Sequence, residues 1–281
     1  MSDIQDLFDS TTNLPMLPKV VEELLRLLEE DDPDLKEVIQ KINRDPVIAA
    51  KVLRLSNTAQ YGATRQIKTL EDAVALVGFT KLVTLVVASG VVEPFASVPN
   101  LSLPQFWKRS FMCAAIARHI ALELNRTAKA RHQPELVYLG GLLHGIGQLV
   151  MHLFFPNAEN TMIMANLAES AAERKKIELS QLGVDHCMIG QELTKRWLLP
   201  AEIQRIVRHY AEPKNPEADA SAAVVHLSAH IAQGLLLDKQ PETILSEADS
   251  VLLSLLAPSP AVWADKLEIY ASFLSEAEAF I

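Results

Sequence analysis

A single histidine interrupts an apolar, glycine-rich stretch of the sequence, GGLLHGIGQLV, which runs from Gly140 to Val150. This residue, His144, is a candidate metal ligand, because a neutral imidazole binds zinc, copper and iron well. A histidine in such surroundings also has an ordinary explanation, in which the ring packs in the core and bonds a backbone carbonyl or a neighbouring side chain. The stretch by itself leaves both interpretations open.

Two further patterns contain residues that could bind or ligate. His226 and His230 are four residues apart, which places them on one face of a helix and suits metal chelation, but no third ligand is close in sequence and a surface or core pair is the better interpretation. In the segment SNTAQYG, we interpret Asn57 as the end of a helix and Tyr61 as the anchor of the following turn. The sequence shows no glycine-rich phosphate loop and no Ser-His-Asp or Cys-His nucleophile pattern.

Helix-start signals dominate the sequence around these residues. Asp32 and Pro33 are expected to open one helix, and Asp45 and Pro46 the next, since aspartate caps the first amides and proline fits the first turn. The apolar run of residues 82–92 lacks the alternation of a strand and predicts a buried helix. We therefore predict an all-α protein.

The stretch around His144 is expected to continue one helix that begins at Pro134. Its apolar residues go almost all the way round the helix axis, which predicts a central position in the fold. Glycine weakens a helix by about 1 kcal/mol relative to alanine. Four glycines in this helix therefore indicate close approach of neighbouring backbones: Gly140, Gly141, Gly145 and Gly147.

Composition limits the classes of function. The 281 residues are 49% hydrophobic, enough for one large domain or two modest ones, and the net charge of -9 without a Lys/Arg block argues against a nucleic-acid partner. Cys113 and Cys187 lack metal-binding or disulfide spacing, which predicts reduced thiols and a cytoplasmic protein. The N-terminus has no signal-peptide pattern, and the run of residues 82–92 is too short for a bilayer, which takes about 20 residues. We expect no membrane partner.

Five segments occur in a recognisable order: NLPMLPKVVEELL, INRDPVIAAKVLRLSNTAQYG, IKTLEDAVALVG, YLGGLLHGIGQLV and GVDHCMIGQELTKRWLLPAEIQRIVRHY. Over roughly residues 14–240 this order resembles the HDOD family, the HD-related output domains of bacterial signalling proteins and a degenerate branch of the HD phosphohydrolase superfamily. The resemblance implies a single HDOD-like unit over residues 1–281. Within it, an N-terminal helical sub-bundle (14–95) packs on an HD-like bundle (104–240), followed by a C-terminal helical extension (241–281). Prolines between the two bundles indicate a linker.

The resemblance also implies which residues stand where HD phosphohydrolases carry metal ligands. Those enzymes use an early His, an adjacent His-Asp pair and a late Asp to hold a metal that binds phosphate oxygens and lowers the pKa of a bound water. Here the early position falls on Arg109. The His-Asp pair falls on His144 and Gly145, and the late Asp falls on Ala229.

Histidines that related HD-GYP phosphodiesterases add to the site map onto His186, His209 and Tyr210. The histidines are thus retained while both carboxylates are lost, and Arg109 would repel a cation. We predict no catalytic residue, no metal and no cofactor. The remaining interpretations are a packed core His144, or a pocket in which Arg109 and the histidines receive a small anionic ligand, unless Arg109 pairs with an acidic side chain of the chain itself.

These features predict a non-catalytic signal-transduction domain that acts through protein partners supplied in trans, with a small anionic ligand as a further candidate partner. The alternative is an enzyme, either a metal-dependent HD-type phosphohydrolase or a cyclic-nucleotide phosphodiesterase. The two alternatives predict different geometry. The ligand hypothesis requires Arg109, His144, His186 and His209 to converge.

Overall fold

The computed structural model describes residues 4–9, 14–27, 34–58, 66–126, 131–155, 170–250, 252–253, 260–274 and 277–278. These residues form helices joined by turns and contain no strand, which confirms the all-α prediction. The helices in chain order are α1 (Ile4–Asp9), α2 (Lys19–Leu27), α3 (Leu35–Asn43), α4 (Pro46–Ser56), α5 (Leu70–Val77), α6 (Phe79–Gly90), α7 (Leu103–Arg126), α8 (Pro134–Leu143), α9 (Ile146–Phe154), α10 (Ala171–Leu182), α11 (His186–Arg196), α12 (Ala201–His209), α13 (Ala220–Leu236), α14 (Pro241–Glu247) and α15 (Pro260–Ser272).

The helices belong to two units. One unit consists of Pro15–Ala96 with Ser275–Ile281, and the other of Ser97–Leu274 with Met1–Leu14. In the first unit, α6 packs against α2, α4 and α5. It is buried from Leu82 to Gly90, which confirms a buried helix in the apolar run. Between α5 and α6 the chain bends by 118°, and Gly78 makes the bend with a φ of 83°, a backbone conformation that favours glycine.

Aspartate caps begin both α3 and α4. Asp45 accepts two backbone N–H bonds of the first turn and Pro46 occupies that turn, as predicted. The prediction for α3 is wrong by two residues, because Asp34 caps this helix through a bond of 2.9 Å from the Lys36 amide. Asp32 lies outside the described residues.

The second unit is arranged around the 24-residue helix α7. Helices α8 and α13 pack on α7, α12 packs on α8 and α13, and α11 packs on α9 and α12. Helix α14 packs on α13, and α15 contacts α7, α13 and α14. This arrangement brings residues from α7, α9, α11 and α13 close to the loop at His144.

The helix predicted to carry His144 is broken at that residue. Helix α8 ends at Leu143, and His144 and Gly145 form a turn before α9 begins at Ile146. The Pro134–Phe154 stretch is long and apolar enough to cross a membrane by length and composition, but 89% of its most hydropathic window is buried inside the protein. Its apolar faces are therefore filled by neighbouring helices.

Two of the four glycines allow close packing at this break, because a side chain at either position would clash with a neighbouring backbone. A Cβ atom at Gly147 would lie 1.9 Å from the carbonyl oxygen of His186, and one at Gly141 would lie 2.9 Å from the Cα of Ala114. Both contacts are with backbone, which cannot move aside cheaply. The prediction of close backbone approach is confirmed at these positions.

Candidate functional site

Arg109 on α7 lies at the centre of a polar cluster. Its Nη2 donates to Oε1 of Gln148 on α9 at 3.1 Å, and its Nη1 donates to Oε1 of Gln233 on α13 at 3.4 Å. The Nε atom is buried without a hydrogen-bond partner, and the guanidinium carbon lies 5.8 Å from the ring centre of Phe106. Both side-chain acceptors are neutral amides.

Among the described residues, no acidic side chain balances the charge of Arg109, because no carboxylate oxygen lies within 4 Å of its guanidinium. Burial lowers the pKa of Arg109, but a guanidinium stays protonated in proteins. In the described part of the chain, the alternative in which Arg109 pairs with an acid of the protein is not observed.

His144 has the geometry of a core histidine. Its Nδ1–H donates to the backbone carbonyl of Gly141 at 2.6 Å, and its ring packs edge-on against Tyr210 with 4.8 Å between ring centres. Burial, reinforced by the charge of Arg109, lowers the pKa of His144 to about 3. The ring is therefore neutral near pH 7 and adds no positive charge to the cluster.

His186, the first residue of α11, is held by a buried carboxylate. Oε2 of Glu178 accepts from the His186 backbone N–H at 2.9 Å and lies 2.5 Å from Nδ1, while Nε2 lies 2.7 Å from the Tyr210 hydroxyl. Burial opposes a charged imidazolium. The neighbouring Cys187, Tyr210 and Glu178 outweigh it and hold the pKa of His186 well above its usual value.

A second arginine lies near this pair. Nη1 of Arg174 on α10 is 4.0 Å from Oε1 of Glu178, and Arg174 is buried. Burial lowers the pKa of Arg174, the carboxylate of Glu178 opposes that shift, and the charge of Arg109 adds to it. Two guanidinium groups therefore influence this region, and the buried carboxylate of Glu178 is already bonded to His186.

His209 does not join the cluster. Its Nε2 lies 3.8 Å from Glu217. Burial lowers its pKa, and the charges that act on it are those of Arg208, Glu217, Lys175 and Asp219. The next residue, Tyr210, does reach the cluster. The convergence of Arg109, His144, His186 and His209 that the ligand hypothesis requires is therefore observed for three of these four residues only, and an anion site at Arg109 does not include His209.

The two mapped carboxylate positions adjoin the cluster. A Cβ atom at Gly145 would lie 3.4 Å from Nε2 of Gln148, the residue that bonds Arg109. Ala229 is half-buried and lies four residues, about one helical turn, before Gln233 on α13. Of the seven mapped residues, the structure thus places Arg109, His144, His186 and Tyr210 together, with Gly145 and Ala229 beside them.

These residues do not fit a divalent metal. Nδ1 of His144 is bonded to a carbonyl, and both ring nitrogens of His186 are bonded within the protein. The first mapped ligand position carries a cation, and magnesium or manganese prefers oxygen ligands. Among the residues that the structure describes, no three His, Cys, Asp or Glu side chains are grouped to hold a metal.

The other candidates have local roles. The Nδ1–H of His226 donates to the Tyr210 carbonyl oxygen at 2.8 Å, and the Nε2–H of His230 donates to the Ile244 carbonyl oxygen at 2.8 Å. Each ring is therefore bonded to a different backbone group. Asn57 bonds both the N–H and the carbonyl of Ile67, which supports its structural interpretation. Tyr61 lies outside the described residues.

Sequence reasoning missed four residues of the cluster: Gln148, Arg174, Glu178 and Gln233. Gln148 was visible as the one amide in the apolar stretch GGLLHGIGQLV. Glu178 and Arg174 precede His186 on a separate, largely polar helix, and nothing in their spacing distinguishes a buried carboxylate from an exposed one.

Comparison with known proteins places this all-α chain in a family. The model of the HDOD domain matches residues 14–213, and the chain belongs to the HDOD family. It is 28% identical over 217 residues to an uncharacterized protein of Treponema pallidum and spans about 40% of the length of that relative.

Solved structures share the fold over nearly the whole chain. A "Putative phosphohydrolase" from Shewanella amazonensis aligns with a TM-score of 0.77 and 27% identity, covering 98% of both chains. An HDOD domain protein with unknown function from Geobacter sulfurreducens aligns with a TM-score of 0.77 and 21% identity, covering 99% of this chain and 95% of that one. A "Putative signal transduction protein" from Marinobacter aquaeolei aligns with a TM-score of 0.70 and 20% identity, covering 98% of this chain and 59% of that one. The names of these proteins thus include both an enzyme and a signalling role.

Proposed function

We propose that this protein is a non-catalytic signal-transduction domain that acts through protein partners, and that its HD-type site does not hold a catalytic metal. The observation that carries the proposal is the position of Arg109. Its guanidinium bonds Gln148 and Gln233 and has no carboxylate beside it in the described part of the chain.

Hydrolysis by an HD-type centre needs a metal that polarises phosphate oxygens and activates water. A permanent cation in place of the first ligand raises the free energy of a bound divalent ion. His144 offers one neutral nitrogen, and Gly145 and Ala229 offer no side-chain oxygen. The chemistry of the donor set therefore favours a regulatory role.

The enzyme alternative has one observation in its favour, which is the name "phosphohydrolase" carried by the Shewanella protein. A direct assay separates the two functions. Purified protein is incubated with added manganese and either a chromogenic phosphodiester or a cyclic nucleotide, and His144→Ala is compared with the wild type. His230→Ala serves as the matched control, because His230 also bonds a backbone carbonyl, that of Ile244, which is not a residue of the cluster.

We expect no hydrolysis above the rate of His144→Ala. The proposal fails if the wild type and His230→Ala turn over substrate in a manganese-dependent way and His144→Ala does not. Affinity capture with the full chain as bait, compared between wild type and a heat-denatured sample, then identifies the proteins that bind the folded domain.

A further inference from the structure

The charge of Arg109 needs a counter-ion. Buried or half-buried charges in proteins are normally paired, because the removal of an ion from water costs several kcal/mol unless an opposite charge compensates it. Neutral amide oxygens from Gln148 and Gln233 compensate only part of that cost. The charge of the nearby Arg174 increases the electrostatic cost.

The guanidinium also retains unused donors. Of its five N–H groups, one on each Nη atom is bonded to a glutamine, and the Nε–H has no partner. A carboxylate or phosphate group meets an arginine through two parallel N–H bonds. Arg109 therefore has the donors needed for a two-oxygen contact.

Two residues of the cluster region are only partly buried. Ala229, about one turn from Gln233, is half-buried, and so is Arg109 as a whole. The methyl group of Ala229 is much shorter than the aspartate that the family pattern places at this position. In the described part of the chain, the carboxylate of Glu178 is bonded to His186, and no carboxylate lies at the Arg109 guanidinium.

On the basis of the proposed function, we propose that Arg109 binds a compact oxyanion, which is a phosphate or carboxylate group. The side chains of Gln148 and Gln233 hold the guanidinium in place. The second positive charge at Arg174 favours a doubly charged ligand over a singly charged one. Larger polyanions are disfavoured because the cluster is enclosed by α7, α9 and α13 and the buried ring of Phe106.

The test uses the full chain and three probes, inorganic phosphate, malonate and acetate, each added at a fixed ionic strength maintained with chloride. Thermal unfolding measures Tm, and titration calorimetry measures the dissociation constant. We expect phosphate or malonate to raise Tm saturably by about 4 °C or more at a hundredfold excess over the dissociation constant, and acetate to bind more weakly. A Tm rise with phosphate but not with malonate would indicate a phosphoryl ligand, and a Tm rise with malonate but not with phosphate would indicate a dicarboxylate.

Three variants tie the effect to Arg109. Arg109→Met should lose the Tm rise, and Arg109→Lys, which keeps the charge without the planar fork, should bind at least about tenfold more weakly. Lys108→Met removes a charge from the adjacent residue of α7 and should keep the effect. Equal Tm rises in wild type and Arg109→Met, or no rise beyond that of chloride, would overturn the inference. Metal-dependent turnover in the assay above would instead overturn the proposed function, so the two failures are distinguishable.

Discussion

Arg109 on α7 and Gln148 on α9 are joined by a 3.1 Å hydrogen bond from Nη2 to Oε1. In the mapping that the family pattern implies, Gln148 stands three residues after Gly145, which occupies the aspartate position. A neutral amide thus contacts the guanidinium at the first mapped ligand position, and no carboxylate among the described residues lies there. Under the proposed function, this contact links the loss of metal ligands to a preference for anions.

Removal of the Arg109 charge should have little effect on stability. In Arg109→Met, we expect the free energy of unfolding in chloride buffer to change by no more than about 1 kcal/mol, because relief of an uncompensated charge offsets the lost bonds to two glutamines. Arg118 on the same helix is the control, since it lies 3.9 Å from Glu135. Arg118→Met should cost about 3 kcal/mol in urea denaturation. A similar cost for both variants would indicate that Arg109 has an acidic partner.

Close packing at Gly147 positions His186. Gly147→Ala should destabilise the protein by about 3 kcal/mol, because its Cβ meets the His186 carbonyl and the Gly190 amide, which are both backbone groups. Gly140→Ala is the matched control, since its Cβ meets only the side chain of Ile206, which can shift. Urea denaturation of both variants measures the difference. Equal stability of Gly147→Ala and wild type would contradict this packing.

The Glu178–His186 pair should make stability depend on pH. Because the folded-state pKa of His186 is raised, its charge stabilises the fold fully below about pH 6.5, and this contribution is lost as the pH rises through the folded pKa. We expect Glu178→Gln to cost about 3 kcal/mol at pH 6 and less at higher pH. Denaturation curves at several pH values check this, with Glu173→Gln on the same helix as the exposed-carboxylate control. A cost for Glu178→Gln that is the same at every pH would count against a charged His186.

A carboxylate introduced at position 145 should compete with a bound anion for Arg109. In Gly145→Asp, the new side chain starts 3.4 Å from Nε2 of Gln148 and can approach Arg109, so we expect the Tm rise with phosphate to fall by more than half. Gly145→Ala controls for the tight contact of the new Cβ with Phe106. Thermal unfolding with and without phosphate provides the measurement. Full retention of the phosphate effect in Gly145→Asp would place the anion elsewhere.

Much of the fold was predictable from the sequence because its signals are local. The Asp45-Pro46 cap, the buried run of residues 82–92 and the glycines for close packing depend on neighbouring residues alone. The break at His144 was missed, since an uninterrupted apolar stretch resembles one continuous helix.

The site was predictable only in part. The family pattern identified Arg109, His144, His186 and Tyr210, which the structure brings together, but it also included His209, which faces Glu217. The partners that decide the chemistry, Gln148 and Glu178, are joined to these residues only by tertiary packing. Their roles depend on distances that no local pattern encodes.

Metal content distinguishes a regulatory HD-type site from a metal-dependent enzyme. Wild-type protein, purified without chelator and dialysed against manganese and zinc in turn, is analysed by mass spectrometry for metal per chain. We expect less than about 0.1 equivalent of either metal, with no difference between wild type and His144→Ala, since a cation at Arg109 disfavours a metal beside it. Close to one equivalent in wild type, lost in His144→Ala, would instead show that a metal binds at His144 and that the proposed function is wrong.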